Sequence, residues 1–395
     1  VEDSAPSDSQ PPQPPEPPAP PQARTSPRTM AVAGTALALA LFLTVGGFVQ
    51  FINPAFGIWF TELFVFLGLG WMMLRFNGWR PREYTGLTPA PRAATLFGFV
   101  LGVANFFALV VPIQYGAQSL APEWLTKLFD SSRLFEGQSP VELALLLTGV
   151  SVAAPLCEEF FFRGILQRGL TPAPPASPVR ALVVTAVVFS AFHLDPVGFA
   201  ARVELGLLFG WLCLRTGSLW PSIAAHAANN LVSSVLFLVA KALGQEGTDS
   251  ETDPRAVLAL AGLGFIGLSA LLTAARHYPG LLGGQARATD EESRAPEPHP
   301  SLAGLLLPWV VAATLSLVAL AAVDARGISL NFYDAQHSLP ELEKDSPPGL
   351  QAERKALQVL RDAARRGKSP MEAYYEERER QARAHRRALG LQKEP

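Results

Sequence analysis

Charge is what this sequence has least of. Asp, Glu, Lys and Arg make up 17% of its 395 residues, against about a quarter in an ordinary soluble domain. The net charge is only −2, so no basic surplus argues for nucleic acid, and none is expected as a partner. Cysteine is nearly missing: Cys157 and Cys213 both sit inside apolar runs. That excludes a disulfide framework and leaves two small buried hydrophobes. No internal repeat is apparent, the first residues carry no apolar stretch of secretory-signal type, and no His-Glu-x-x-His pattern of the helical zinc proteases occurs.

What is present is apolar sequence, 49% of the chain, with a mean hydropathy of +0.22. It falls into runs near the roughly 20 residues that cross a bilayer. The expectation is an all-α integral membrane protein. It is a transmembrane helical bundle of about eight to nine spans, with an intramembrane polar cavity and polar tails.

Five segments follow from the pattern. Residues 1–29 centre on PPQPPEPPAPP, which cannot bury a core and predicts a disordered, polyproline-rich tail. Residues 30–140 hold spans near Met30–Phe51, Phe56–Leu74 (carrying Glu62) and Ala94–Ile113. An amphipathic stretch, Ala117–Ser139, then reads as a helix lying in the interface. Residues 141–243 hold a span from Val141, a short helix from Ala181 to Phe192 and a span over Val197–Leu214 with Arg202 and Glu204. A helix opened by Trp220-Pro221 completes the segment. Residues 244–323 contain the acidic loop Glu246–Asp253 and spans near Ala256–Ala274 and Leu302–Ala322. Residues 324–395 are polar, with two helices started at Ser346-Pro347-Pro348 and Ser369-Pro370 and stopped by Gly367 and Gly390, read as solvated. Arg75, Arg80, Arg82 and Arg92 share one loop, which the positive-inside rule makes cytoplasmic together with the amino-terminal tail. With nine spans the carboxyl-terminal tail lies across the membrane.

Three charges stand inside the apolar run from Val141: Glu158, Glu159 and Arg163. Each costs roughly 2.5–3.5 kcal/mol to insert uncompensated, so they need partners. Adjacent residues differ by about 100° around a helix, and Glu159 precedes Arg163 by four, the favourable order for an ion pair. The economical assignment pairs those two and leaves Glu158 available, although Glu158 is also within reach of Arg163. A purely structural ion pair is the competing reading. His193 ends the following short helix. His226 and Asn230, four apart, share one helix face, where they can donate to one oxyanion or glue helices together. A carboxylate in an apolar cavity can act as general base on water. Alternatively Glu158, His193 and His226 form a His₂Glu zinc set with a position left for water.

The pattern Glu158-Glu159-x-x-x-Arg163, Phe189-x-x-x-His193, His226-x-x-x-Asn230, with Ser218-Leu219-Trp220-Pro221-Ser222-Ile223 before the last, resembles the three motifs of the CPBP intramembrane protease family. That family holds the type II CAAX prenyl endopeptidases and their bacteriocin-processing and immunity relatives. The resemblance covers about Val141 to Leu236 and implies hydrolysis of a peptide bond inside a membrane cavity. By carry-over Glu158 activates water with help from His193, His226 and Asn230 form the oxyanion hole, and Glu159 and Arg163 support Glu158. The implied partner is a protein or peptide substrate, lipidated or membrane-embedded, and the implied location a bacterial-type inner (plasma) membrane. No cofactor is required by this assignment, and zinc stays open. A non-catalytic immunity or scaffold protein, keeping the polar cluster for helix packing, is the alternative. A transporter using Glu62, Arg202 and Glu204 ranks last. The sequence carries no signal for an oligomeric state.

Overall fold

The computed structural model describes residues 24–130, 135, 138–172, 176–243, 253–283, 288–295, 300–339 and 348–388. Residues 1–23, most of the acidic loop and Gly390, on which three of the expectations above fall, lie outside the described residues. The described chain is helical, with no strand among the described residues.

Helix starts follow local capping chemistry. The Ser26 hydroxyl accepts from Thr29 N–H at 3.1 Å and Pro27 takes the first position of α1, Pro27–Ile52. The Asn53 side chain accepts from Phe56 N–H at 3.0 Å and starts α2, Pro54–Phe76. A short α3, Pro81–Thr85, leads to α4, Arg92–Leu120. After α5, Glu123–Leu128, comes α6, Pro140–Leu170, opened by a reciprocal box in which Ser139 and Glu142 bond each other's backbone N–H. Then follow α7 (Val179–Phe192), α8 (Phe199–Thr216), α9 (Trp220–Ala242), α10 (Pro254–His277) and α11 (Leu302–Val323).

Seven of these helices, α1, α2, α4, α6, α9, α10 and α11, are long and apolar enough to cross a membrane. The other two segments of the count are α7, about 21 Å long at 1.5 Å per residue, and α8, which carries Arg202, Glu204 and Arg215. Contacts fix which ends lie together. At one end Thr25 meets Asn77, Arg168 meets the Glu83 and Tyr84 carbonyls, and Ser218 meets the Thr88 carbonyl. At the other, Asn53 meets Glu142 and Asp324. The nine segments alternate between these ends, so the chain enters at one and leaves α11 at the other.

Close approach of helices depends on small residues at spacing four. Gly98 and Gly102 of α4 lie on the α9 backbone, where an added Cβ would collide with the Pro221 and Ala225 carbonyl oxygens. Gly206 and Gly210 of α8 leave room for the Ala186 backbone and for Gln167. Phe66 of α2 packs on Phe161 and Phe162 of α6, each at 5.6 Å between ring centroids, in a core that includes Phe189, Phe192 and Cys157.

Two expectations are corrected. The single interfacial helix over Ala117–Ser139 is interrupted: α4 runs on to Leu120, Pro122 stops it, and the short α5 follows, with Trp124 and Leu128 exposed. Phe135 instead stacks 4.4 Å from Phe237 of α9. The carboxyl-terminal helices are not free in solvent either. Ala325–Gln336 (α12), Pro348–Arg365 (α13) and Met371–Ala388 (α14) share a small core of Leu330, Leu357, Ala364 and Tyr374. Asp334 accepts from Arg361 and Tyr374, and Arg365 reaches Glu142 and Asp324, tying the unit to the start of α6. The apolar residues of α13 form too narrow a stripe to announce this partner; the ion pairs between helices distant in sequence complete it.

Candidate active site

The polar centre is built on α6 and answered by α8 and α9. Pro155 removes one N–H from the α6 ladder, and the helix is π-wound on both sides of it, at Gly149–Ala153 and Glu159–Gln167. Such wide turns are frequent at functional sites. From Glu159 onward, Glu159, Arg163 and Gln167 repeat at four-residue steps on one face, all fully buried. Arg163 donates to Glu159 Oε1 at 2.7 Å and to the Gly206 carbonyl at 3.3 Å, while Gln167 donates to the Gly210 carbonyl at 3.1 Å. The guanidinium carbon lies 4.4 Å from the ring centre of Phe189 and 5.3 Å from that of Phe209, a favourable arrangement away from water.

Glu159 is saturated. Besides Arg163, it takes the His226 Nδ1–H at 3.0 Å on Oε1 and the Ser222 hydroxyl at 2.5 Å on Oε2. That bond places a hydrogen on His226 Nδ1 and turns Nε2 the other way. Nε2 comes to 3.9 Å from Glu158 Oε2, too far for a direct hydrogen bond. Glu158 is buried, yet its Oε2 has no hydrogen-bond partner among the described residues. One neighbour of the glutamate pair is thus tied down on all sides, and the other is held close to an imidazole nitrogen with an oxygen to spare.

His193 lies just beyond α7, where Nδ1 bonds the Phe189 carbonyl at 3.0 Å. The chain turns at once through Leu194, whose φ of 54° is a strained value for leucine. Asp195 then closes the turn by accepting from the Val197 and Gly198 N–H groups and from Arg202 at 2.7 Å. The Phe189 ring packs against both histidines, with centroids 5.1 Å from His193 and 5.8 Å from His226.

Asn230 sits one turn after His226, as expected. One of its amide hydrogens goes to the Val150 carbonyl at 2.8 Å, and its oxygen accepts from Asn229 at 3.0 Å; the second amide hydrogen is the one left for a ligand. The structure therefore brings Glu158, Glu159, Arg163 and His226 into one cluster, sets His193 beside it across Phe189, and holds Asn230 against α6. Among the described residues no three His, Cys, Asp or Glu side chains are placed to hold a metal ion. Glu158, His193 and His226 are not placed as a His₂Glu zinc set. Glu204 accepts from Asn105 at 2.9 Å and Arg202 pairs with Asp195, so each has a local partner. The residue that sequence reasoning missed is Ser222. Its signal was the four-residue step Ser222, His226, Asn230.

Residues 140–232 match the family model described as Rce1-like: Type II CAAX prenyl endopeptidase Rce1-like. The match covers about a quarter of the chain, and this segment is similar to that family. No curated protein and no solved structure matches the chain significantly. The matched segment runs from the start of α6 into α9 and contains every residue of the cluster. Helices α1 to α5, α10, α11 and the carboxyl-terminal unit lie outside it. The family that it resembles is one of CAAX-type endopeptidases, and the matched segment lies in a chain with seven helices long and apolar enough to cross a membrane.

Proposed function

We propose that the protein is an intramembrane endopeptidase that hydrolyses a peptide bond of a lipidated or membrane-embedded protein with water activated by Glu158. The observation that carries this reading is the contrast between the two adjacent carboxylates. Were the cluster kept only for helix packing, Glu158 would be bonded like Glu159, because an unpartnered buried polar group costs about 1–3 kcal/mol. Its open oxygen instead offers a water a basic partner in apolar surroundings.

The water gives a proton to Glu158 as its oxygen adds to the carbonyl carbon, and the proton passes to the leaving nitrogen as the C–N bond breaks. Negative charge on the carbonyl oxygen is met by His226 and by the second Asn230 amide hydrogen. For that, His226 donates from Nε2 in its cationic form, a charge that Glu159 at Nδ1 balances. His193, oriented through Nδ1 by the Phe189 carbonyl, presents Nε2 to the attacking water. Arg163 and Ser222 act through Glu159, and their task is to hold the imidazole.

Cleavage of a lipidated peptide and of a membrane-protein reporter by protein in liposomes tests the proposal. Glu158→Gln and His226→Ala should each lower kcat by about 10²–10⁴-fold, the usual range for a positioned acid or base. Undiminished cleavage by both variants sinks the assignment. The arginine-rich end of the bundle, with Arg75, Arg80, Arg82 and Arg92, faces the cytoplasm in this proposal, and α12–α14 face the opposite side.

A further inference from the structure

Outside the three motifs, a further carboxyl group lies buried among apolar side chains of α2. Glu62 of α2 is 5% exposed, and its Oε2, like that of Glu158, has no hydrogen-bond partner among the described residues. The pairing of α2 with α6 brings the two acids together. Phe66 packs on Phe161 and Phe162, and one turn back along each helix stand Glu62 and Glu158, since 62 precedes 66 and 158 precedes 162 by four. Val65 and Phe66 of α2 share one buried core with Cys157, Phe161 and Phe162 of α6. The other charged or titratable groups around Glu158 are Glu159 and Arg163 on its own helix, His226 on α9 and Arg202 on α8.

An orphaned buried oxygen asks for an ordered water, and a water needs two to four polar partners. Two orphaned carboxyl oxygens on adjoining helices supply two. We propose that Glu62 is a second catalytic carboxyl group, which together with Glu158 holds the attacking water. This rests on the endopeptidase reading of the same site. Two carboxylates cannot both stay charged in so apolar a setting, so one proton is shared. Glu158, beside His226, takes the ionised role of base, and Glu62 keeps the proton and orients the water. During turnover the water's proton goes to Glu158 and then to the leaving nitrogen, and Glu62 ends as it began.

The full-length protein tests this in two ways. In the cleavage assay Glu62→Leu should lower kcat at least about 30-fold with KM within threefold, while Glu62→Gln, which can still bond a water, should recover at least tenfold of that loss. Glu62→Leu should also raise the unfolding temperature, because leucine needs no partner there. A packing role gives the reverse: leucine as active as wild type, or glutamine and leucine equally impaired. The second arm needs no proteolysis. Infrared difference spectra should show the carboxyl band of a protonated glutamate that disappears in Glu62→Leu and shifts in Glu158→Gln. A Glu62 band indifferent to Glu158→Gln overturns the proposal even if the enzyme is active. An inactive wild type with coupled bands overturns the endopeptidase reading and leaves the shared water intact.

Discussion

Replacing Arg163 with methionine puts the central ion pair under strain in a way the geometry makes quantitative. The side chain is fully buried, bonds Glu159 at 2.7 Å and the Gly206 carbonyl at 3.3 Å, and covers Phe189 at 4.4 Å. Methionine fills much of the same volume, so the loss is electrostatic. Glu159 is left as a buried charge with Ser222 and His226 as its remaining donors, and breaking one side of a buried pair costs about 3–5 kcal/mol. Glu159→Gln should cost a similar amount, since it strands the guanidinium. In the double variant neither charge remains. Its destabilisation should fall short of the sum of the singles by at least about 2 kcal/mol, within the range measured for directly interacting residues. The assay is equilibrium unfolding in mixed micelles, read by tryptophan fluorescence, for all four corners of the cycle. Additive losses would refute the pair as the element that neutralises the cluster, and would move the compensation for Glu159 onto His226 and Ser222.

Other consequences are open to shorter tests. Gly102→Ala sets a methyl against the Ala225 carbonyl; it should cost about 1–3 kcal/mol as overpacking and reduce cleavage by displacing α9, measurable in the same unfolding and activity assays. Arg365→Ala removes the bonds to Glu142 and Asp324 and should make residues 324–388 more sensitive to limited proteolysis, with high salt weakening the wild type in the same direction. The carboxyl-terminal unit should also loosen at alkaline pH. Desolvation and the hydrogen bond to Glu379 push the Tyr333 hydroxyl up to about 12, and burial with the Asp334 bond raises Tyr374 as well. A raised folded value means that stability is full below the ordinary tyrosine range near 10 and is lost as pH climbs toward 12, which ultraviolet tyrosinate absorbance against protease sensitivity will show. Because Cys157 and Cys213 are buried, single cysteines introduced at Ser177 and Ser369 should label from opposite sides of the membrane with an impermeant maleimide.

The membrane class and the central motif could be read in advance because both rest on local rules. Apolar run length gives the spans, and a four-residue step gives the Glu159–Arg163 pair, found at 2.7 Å. The partners of that pair could not be read so. Phe209, Gly206 and Ser222 reach Glu159 and Arg163 from α8 and α9, and which turn of those helices faces α6 depends on the Gly206/Gly210 and Gly98/Gly102 steps that let backbones approach. The interfacial stretch failed for a local reason: an amphipathic pattern says which face is apolar, whereas Pro122 decides how far a helix can run. The docking of α12–α14 failed for a distant one. Asp334 looks like any acid of a polar tail until Arg361, Tyr374 and Arg378 converge on it.

The adjacent glutamates are held in two different ways, and on the proposed mechanism the difference gives the rest of the cluster its task. A lone imidazole in an apolar core has no reason to present one nitrogen rather than the other, and a lone carboxylate there would take up a proton. Glu159, charged because Arg163 is beside it, settles the orientation of His226, and Ser222 uses the lone pair that would otherwise compete for it. With His226 held, Glu158 has a polar neighbour at 3.9 Å without being bonded to it. A shorter contact would consume the oxygen that a water needs, and a longer one would leave the carboxylate without help. A substitution that lets Glu158 and His226 bond directly should therefore stabilise the fold and abolish activity. Ser222→Ala is the mildest such change, since it frees Glu159 to shift along Arg163 and releases His226 toward Glu158. It should leave the unfolding free energy within about 1 kcal/mol of wild type, the usual worth of one hydrogen bond, while lowering kcat at least about tenfold. An active Ser222→Ala enzyme would mean that His226 is held by packing against Phe209, 4.8 Å away, and not by the polar network.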